Sequence, residues 1–186
     1  MPSPSKNKGS GFEREVAKYL TELYGAPFIR APGSGAFTGG KNSIRRQVLE
    51  GAQIRSFKGD IMPPEDWQLF NAEAKFYADF PFHQLFDGCP QLETWLDQLM
   101  TASDSGDFNI LFMKFNRKGR YVAVQATIPW TTGCSTLEYH SEKHGVWMIY
   151  NFEKFFQQNS VLVKNLSHNK SISVLSQSSN NVSAEV

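Results

Sequence analysis

Cysteine is scarce. Cys89 and Cys134 are the only two in 186 residues, and neither belongs to a CxxC pair. A disulfide framework is therefore excluded; one bridge between them stays formally open, but reduced thiols are the simpler expectation. No stretch approaches the ~18 uninterrupted apolar residues of a membrane span. The opening MPSPSKNKGSGFERE lacks the apolar run of a secretory signal. A cytoplasmic chain with no membrane partner is the expectation. Neither GxGxxG nor GxxxxGK[ST] occurs, so nothing suggests a dinucleotide or P-loop site. Internal repeats are absent too, and the length suits one cored domain rather than two.

Net charge is also nearly absent, at +1, but its distribution is not even. Residues 1–58 carry a net +6, residues 59–113 a net −9, and residues 114–186 a net +4. An acidic middle between basic flanks suits a cation site beside a polyanion surface, because metal needs clustered carboxylates and phosphate needs bases. Unevenly charged solvent faces are the plainer alternative.

What is present is apolar enough to fold: 40% of residues are hydrophobic and 13% aromatic. Residues 1–10, rich in Pro, Ser and Lys, read as a flexible arm, 11–175 as a single domain, and 176–186 as a flexible tail. Phe12, Val16, Tyr19, Leu20 and Leu23 recur at helical spacing, which predicts a helix over 11–24, with Ser10 as cap and Glu13 in capping-box position. Residues 26–31 read as a short strand, followed by the turn Pro32-Gly33-Ser34-Gly35 and the glycine-rich, basic FTGGKNSIRR.

Asp60-Ile61 opens a strand that Pro63-Pro64 cuts short, and a strand then leads through Asn71 to Phe76. A helix is predicted over 91–102. Two strands, 108–115 and 121–128, are joined by the turn Asn116-Arg117-Lys118-Gly119. Further on come a strand at 145–150, a short helix at 153–158, and edge strands at 161–163 and 172–175. This order describes an α/β domain with a mixed sheet flanked by helices.

The chemistry concentrates at Asp60 and Glu73-Ala74-Lys75. Two adjacent strands would set Asp60 opposite Glu73, and carboxylates so placed suit Mg²⁺, which takes one or two of them and fills its shell with water and phosphate. Lys75 projects from the same face as Glu73, about 6–7 Å further on, where an ammonium can orient a water and offset charge growing on phosphorus. A cross-strand ion pair on an exposed strand is the competing reading of the same residues.

KGSGFEREVAKYL, the RAPGSG turn, the GDI containing Asp60 and the strand NAEAKFY together resemble the archaeal-type Holliday junction resolvases of the PD-(D/E)XK, restriction-endonuclease-like superfamily. The resemblance covers roughly residues 8–80. It implies a restriction-endonuclease-like core and metal ligation by Glu13, Asp60 and Glu73, with the Ala74 carbonyl added. It also implies Lys75 as the catalytic lysine, Ser34 near the scissile phosphate and Arg30 on the DNA backbone. The family is homodimeric, requires Mg²⁺ or Mn²⁺, and cuts opposing strands of a four-way junction. The chain departs from the family in its long interval between Ser34 and Asp60, and in Gly-Asp where the family has Pro-Asp.

Lys41, Arg45, Arg46, Arg55 and Lys58 in that interval, with Lys114, Arg117, Lys118 and Arg120 in the later hairpin, are the expected contacts to branched or duplex DNA. Trp130, Trp147, Phe152, Phe155 and Phe156 are either core or a dimer surface. Another nuclease with the same core (restriction, repair or replication type) and a non-catalytic DNA-binding protein remain the alternatives to a resolvase.

Overall fold

The computed structural model describes residues 4–31, 59–131 and 133–168, with side chains from Gly9 onward. The predicted strand at 172–175 and the C-terminal tail lie outside them. Helix α1 (Pro4–Tyr24) is followed by the two-residue strand β1 (Ile29–Arg30), which pairs antiparallel with β2 (Ile61–Met62). A five-stranded mixed sheet follows, in the order β3-β4-β5-β7-β6. Its strands are β3 (Phe70–Tyr77), β4 (Phe108–Phe115), β5 (Gly119–Gln125), β6 (Thr136–Ser141) and β7 (Gly145–Asn151). Helix α2 (Pro90–Thr101) makes the crossover between the parallel pair β3 and β4, and α3 (Phe152–His168) follows the last strand. This is the α/β, restriction-endonuclease-like arrangement the sequence implies.

Alternation along the strands divides the core in two. On one face Ala72 and Ala74 of β3, Ile110 and Phe112 of β4, and Val122 and Val124 of β5 pack under Phe12, Val16 and Leu20 of α1 and Phe152, Phe155 and Phe156 of α3. On the other face Leu111, Met113, Phe115, Ala123 and Ile149 meet Leu92, Trp95, Leu96 and Leu99 of α2. Small Ala72 and Ala74 let α1 approach β3 closely, as their pattern predicted. Within β3 and β4, buried Asn71 faces Asn109 in register, its Nδ2 donating to Asn109 Oδ1 at 2.7 Å and to the Leu99 carbonyl at 3.0 Å.

Strand β6 is an edge strand strapped to α2 by polar groups. Glu93 accepts from the Tyr139 hydroxyl at 2.7 Å and from Ser141 Oγ at 2.8 Å, while the Cys89 N–H donates to the Tyr139 hydroxyl at 3.1 Å. Burial, and then the Glu93 carboxylate, pushes the Tyr139 phenol up to about 12. One turn along α2, His144 and Lys143 bond to Asp97 and hold its carboxyl below the ordinary range.

Three expectations change. Helix α1 begins at Pro4 instead of Gly11, which places Ser10 inside the helix and not at its cap; a proline is tolerated in a first helical turn, where its missing N–H has no partner to lose. Val161–Val163 belongs to α3 and not to an edge strand. The helical face set by Phe152, Phe155, Phe156 and Asn159 continues to Val163 and Ser167, overriding the β-branched character of the segment. Trp130, Trp147, Phe152, Phe155 and Phe156 are buried in the cores, so they offer no exposed dimer surface.

Candidate active site

Asp60 and Glu73 come together at the free edge of β3. Gly59 turns the chain with φ +69° against the backbone of Ala72, so closely that a Cβ there would lie 2.2 Å from the Ala72 carbonyl oxygen. That approach lets the Asp60 N–H donate to the Ala72 carbonyl at 2.7 Å. The Asp60 side chain reaches the next position along: its Oδ2 accepts the Ala74 N–H at 2.9 Å. Asp60 thus brackets Glu73 from both sides. Because a strand residue directs its N–H and carbonyl to the same edge, the Ala74 carbonyl faces the Asp60 side as well.

Lys75 Nζ donates to Glu73 Oε1 at 2.6 Å, with both side chains largely withdrawn from water, 16% and 9% exposed. Asn71 and Tyr77, two residues either way, touch α2 through the Leu99 carbonyl and the Trp95 ring. Glu73 and Lys75 therefore stand on the α2 face of the sheet. A carboxylate buried as deeply as Asp60 or Glu73 is costly unless it is paired or binds a cation.

Glu13 comes from the first helix. It projects from α1, which packs on the opposite face, and its carboxylate accepts from Arg30 Nε on β1. Among the described residues no group of three carboxylate, imidazole or thiol side chains is arranged to hold a metal. The structure brings Asp60, Glu73, Ala74 and Lys75 together, and joins Glu13 to Arg30 beside them.

The basic residues of the β4–β5 hairpin separate into two sets. Lys114 and Arg120 are register partners on the α1 face, both bonded to Glu15; Arg120 also bonds Glu153. Their cations lie over aromatic rings, Lys114 5.4 Å from Phe76 and Arg120 4.9 Å from Phe152. Arg117 and Lys118, at the turn, are exposed, and Lys118 pairs with Asp79. Ser34, Lys41, Arg45, Arg46, Arg55 and Lys58 lie outside the described residues.

The family model described as "Phage putative PDDEXK endonuclease" matches residues 4–175. The chain belongs to this endonuclease family. The match places it in the PD-(D/E)XK superfamily, whose nucleases generally use divalent metal ions and act on DNA. No curated protein and no solved structure matches the chain. Among the described residues of this PD-(D/E)XK nuclease, no helix is long and apolar enough to cross a membrane.

The donor set at the β3 edge suits such an ion. Two carboxylates and a carbonyl, all hard oxygen donors on adjacent positions, match the preference of Mg²⁺ for a few protein oxygens. The sequence offers these residues as candidates. It did not reveal Asp79, His83 or Gln91, which line a cleft beyond the end of β3 together with Lys118.

Proposed function

We propose that the chain is a metal-dependent, structure-selective DNA endonuclease that resolves four-way junctions by paired phosphodiester hydrolysis. The observation that carries the hydrolytic centre is the bracketing of Glu73 by Asp60, through the Ala72 carbonyl and the Ala74 N–H. Asp60, Glu73 and the Ala74 carbonyl would hold Mg²⁺, for which Mn²⁺ can substitute. When bound, the ion supplies Lewis-acid polarisation of a phosphoryl oxygen.

The protein's own residues do the rest. Lys75, released from Glu73, donates to the attacking water and offsets the charge that grows on the phosphoryl oxygens. Glu13 fixes the Arg30 guanidinium, which contacts the DNA backbone; Ser34 lies near the scissile phosphate. Lys41, Arg45, Arg46, Arg55 and Lys58 add phosphate contacts, together with Arg117 and Lys118 at the β4–β5 turn.

Four-way junctions are favoured as substrate by the likeness of the opening KGSGFEREVAKYL and the RAPGSG turn to junction resolvases. Such a substrate has two-fold symmetry, which a homodimer with two centres matches.

The test is incubation of the protein with a labelled four-way junction, a matched linear duplex and a single strand, each in Mg²⁺ and in EDTA. Symmetrical paired nicks confined to the junction support the proposal. Equal cutting of the duplex selects another nuclease of the same core, and absence of products in Mg²⁺ refutes hydrolysis. Lys75→Ala is expected to bind the junction in EDTA as the parent does while cleaving roughly 10²–10³-fold more slowly.

A further inference from the structure

Tyr77 ends the row of side chains that Asn71, Glu73 and Lys75 begin. All four belong to β3 and, spaced two residues apart, stand on its α2 face. Exposure rises along the row. Asn71 is wholly buried and bonded to the Leu99 carbonyl, Glu73 is buried, Lys75 is partly exposed, and Tyr77 is 45% exposed. The face is therefore closed at Asn71 and open at Tyr77, and a ligand that reaches Lys75 along it passes the tyrosine.

This residue is held at its ring and free at its hydroxyl. The ring lies 4.9 Å from that of Trp95, centroid to centroid, tilted by 40°. Trp95 is itself buried and stacks on Phe80 and Phe115 at 5.6 and 6.3 Å. The backbone is fastened as well, since the Tyr77 carbonyl accepts from the Asn116 N–H at 3.2 Å. Tyr24, Tyr121 and Tyr139 all donate their hydroxyls to acceptors within the protein. Among the described residues, the Tyr77 hydroxyl has no hydrogen-bond partner.

A phenol pinned by its ring loses little side-chain freedom when a ligand takes up its hydroxyl. An O–H donor bonds most strongly to an ionised acceptor. Beside a centre that receives a phosphodiester, the acceptor of that kind is a phosphate oxygen. Spacing selects which one. Tyr77 stands two residues from Lys75, about 6–7 Å along the strand, and a DNA strand advances about 3.4 Å per nucleotide.

Resting on the nuclease reading above, we infer that Tyr77 is a DNA-contacting residue whose hydroxyl donates to a phosphate oxygen one or two nucleotides from the scissile phosphate beside Lys75. The contact carries no charge and reads no base. It adds affinity through geometry, from a donor set in place before the DNA arrives.

Binding measured in EDTA tests this without cleavage. Fluorescence anisotropy would give the Kd of the parent and of Tyr77→Phe for a four-way junction. The same junction is then built with a single methylphosphonate, in which a methyl group replaces one phosphate oxygen, at each phosphate near the branch in turn. Tyr77→Phe keeps the ring against Trp95 and should melt with the parent. It should bind the unmodified junction roughly 10-fold more weakly, the size of one net hydrogen bond. Its salt slope should match the parent's, because a neutral donor releases no counterion. One methylphosphonate should weaken the parent without weakening Tyr77→Phe further, and it should lie one or two phosphates from the cut that the parent makes in Mg²⁺. Unchanged affinity of Tyr77→Phe, a changed salt slope, or identical methylphosphonate profiles for the two proteins overturns the inference. Cleavage by the parent in Mg²⁺ is scored separately. If the parent cuts while the two profiles coincide, the inference fails and the nuclease reading stands; if the profiles differ but nothing is cut, the phosphate contact stands and the nuclease reading fails.

Discussion

Asp60 is bonded to the residue that separates Glu73 from Lys75: its Oδ2 accepts the N–H of Ala74 at 2.9 Å. The carboxylate is therefore tied to β3 beside Glu73. Asp60→Asn keeps a side-chain carbonyl able to accept from Ala74 but removes the charge. It is expected to melt within a few degrees of the parent while cleaving DNA at least about 100-fold more slowly. Full cleavage by the purified variant would refute the assignment of this edge as the reacting centre.

Gly59 allows that placement. A methyl group here meets the Ala72 carbonyl oxygen at 2.2 Å, and the backbone already sits at φ +69°. The obstacle is backbone, which cannot swing aside as a flexible side chain does. Gly59→Ala is expected to cost about 1–3 kcal/mol by urea unfolding. Cleavage should fall further than the folded fraction explains, because Asp60 is displaced from β3. Unchanged stability would show that the 59–60 turn relaxes freely.

Arg30 and Glu13 give a prediction about salt. If the guanidinium meets a DNA phosphate, Arg30→Ala lowers the slope of log K against log salt by about 0.9, and Glu13→Gln lowers it less. Titrations of duplex DNA in EDTA between about 50 and 200 mM salt read this directly. An unchanged slope with a lowered melting temperature would make the pair a tie between α1 and β1 alone.

Alkaline stability should depend on Tyr139. Its phenol ionises at about 12 in the fold against about 10 in the unfolded chain. Between these values the unfolded state has already released its proton and the native state has not, so stability falls as pH rises through this window. The effect is absent below about pH 10. Tyr139→Phe removes this contribution, and its melting temperature should decline less steeply between about pH 9.5 and 11.5. Parallel declines would assign the alkaline loss to other tyrosines, such as Tyr19 and Tyr150, whose phenols burial also raises.

The parts legible in the sequence were those written locally. The alternation of Ala72, Glu73, Ala74 and Lys75 assigned their faces correctly, and Pro63-Pro64 ended β2 where expected. Strand β6 gave too little signal: Glu138 and His140 face water, and only Tyr139 and Ser141 are buried. Helix α3 was cut short because Val161 to Val163 favours strands locally, whereas its apolar face is a property of the whole helix. Glu13 shows a deeper limit. Spacing along a helix tells which residues share a side, but not which face of a distant sheet that helix covers. The ion pair of Glu13 with Arg30 depended on packing alone.

Asn71 and Asn109 have a consequence for how reliably the centre is assembled. Parallel neighbours can slide, and a shift of one step exchanges every inward side chain for an outward one. For β3 the slide would drive Glu73 and Lys75 into the phenylalanine layer beneath α1 and α3, and would part the two amides that now meet at 2.7 Å. The misaligned chain has no stable interior. Quality control is thus inherent in the pairing: a molecule that folds at all has Glu73 and Lys75 on the α2 face.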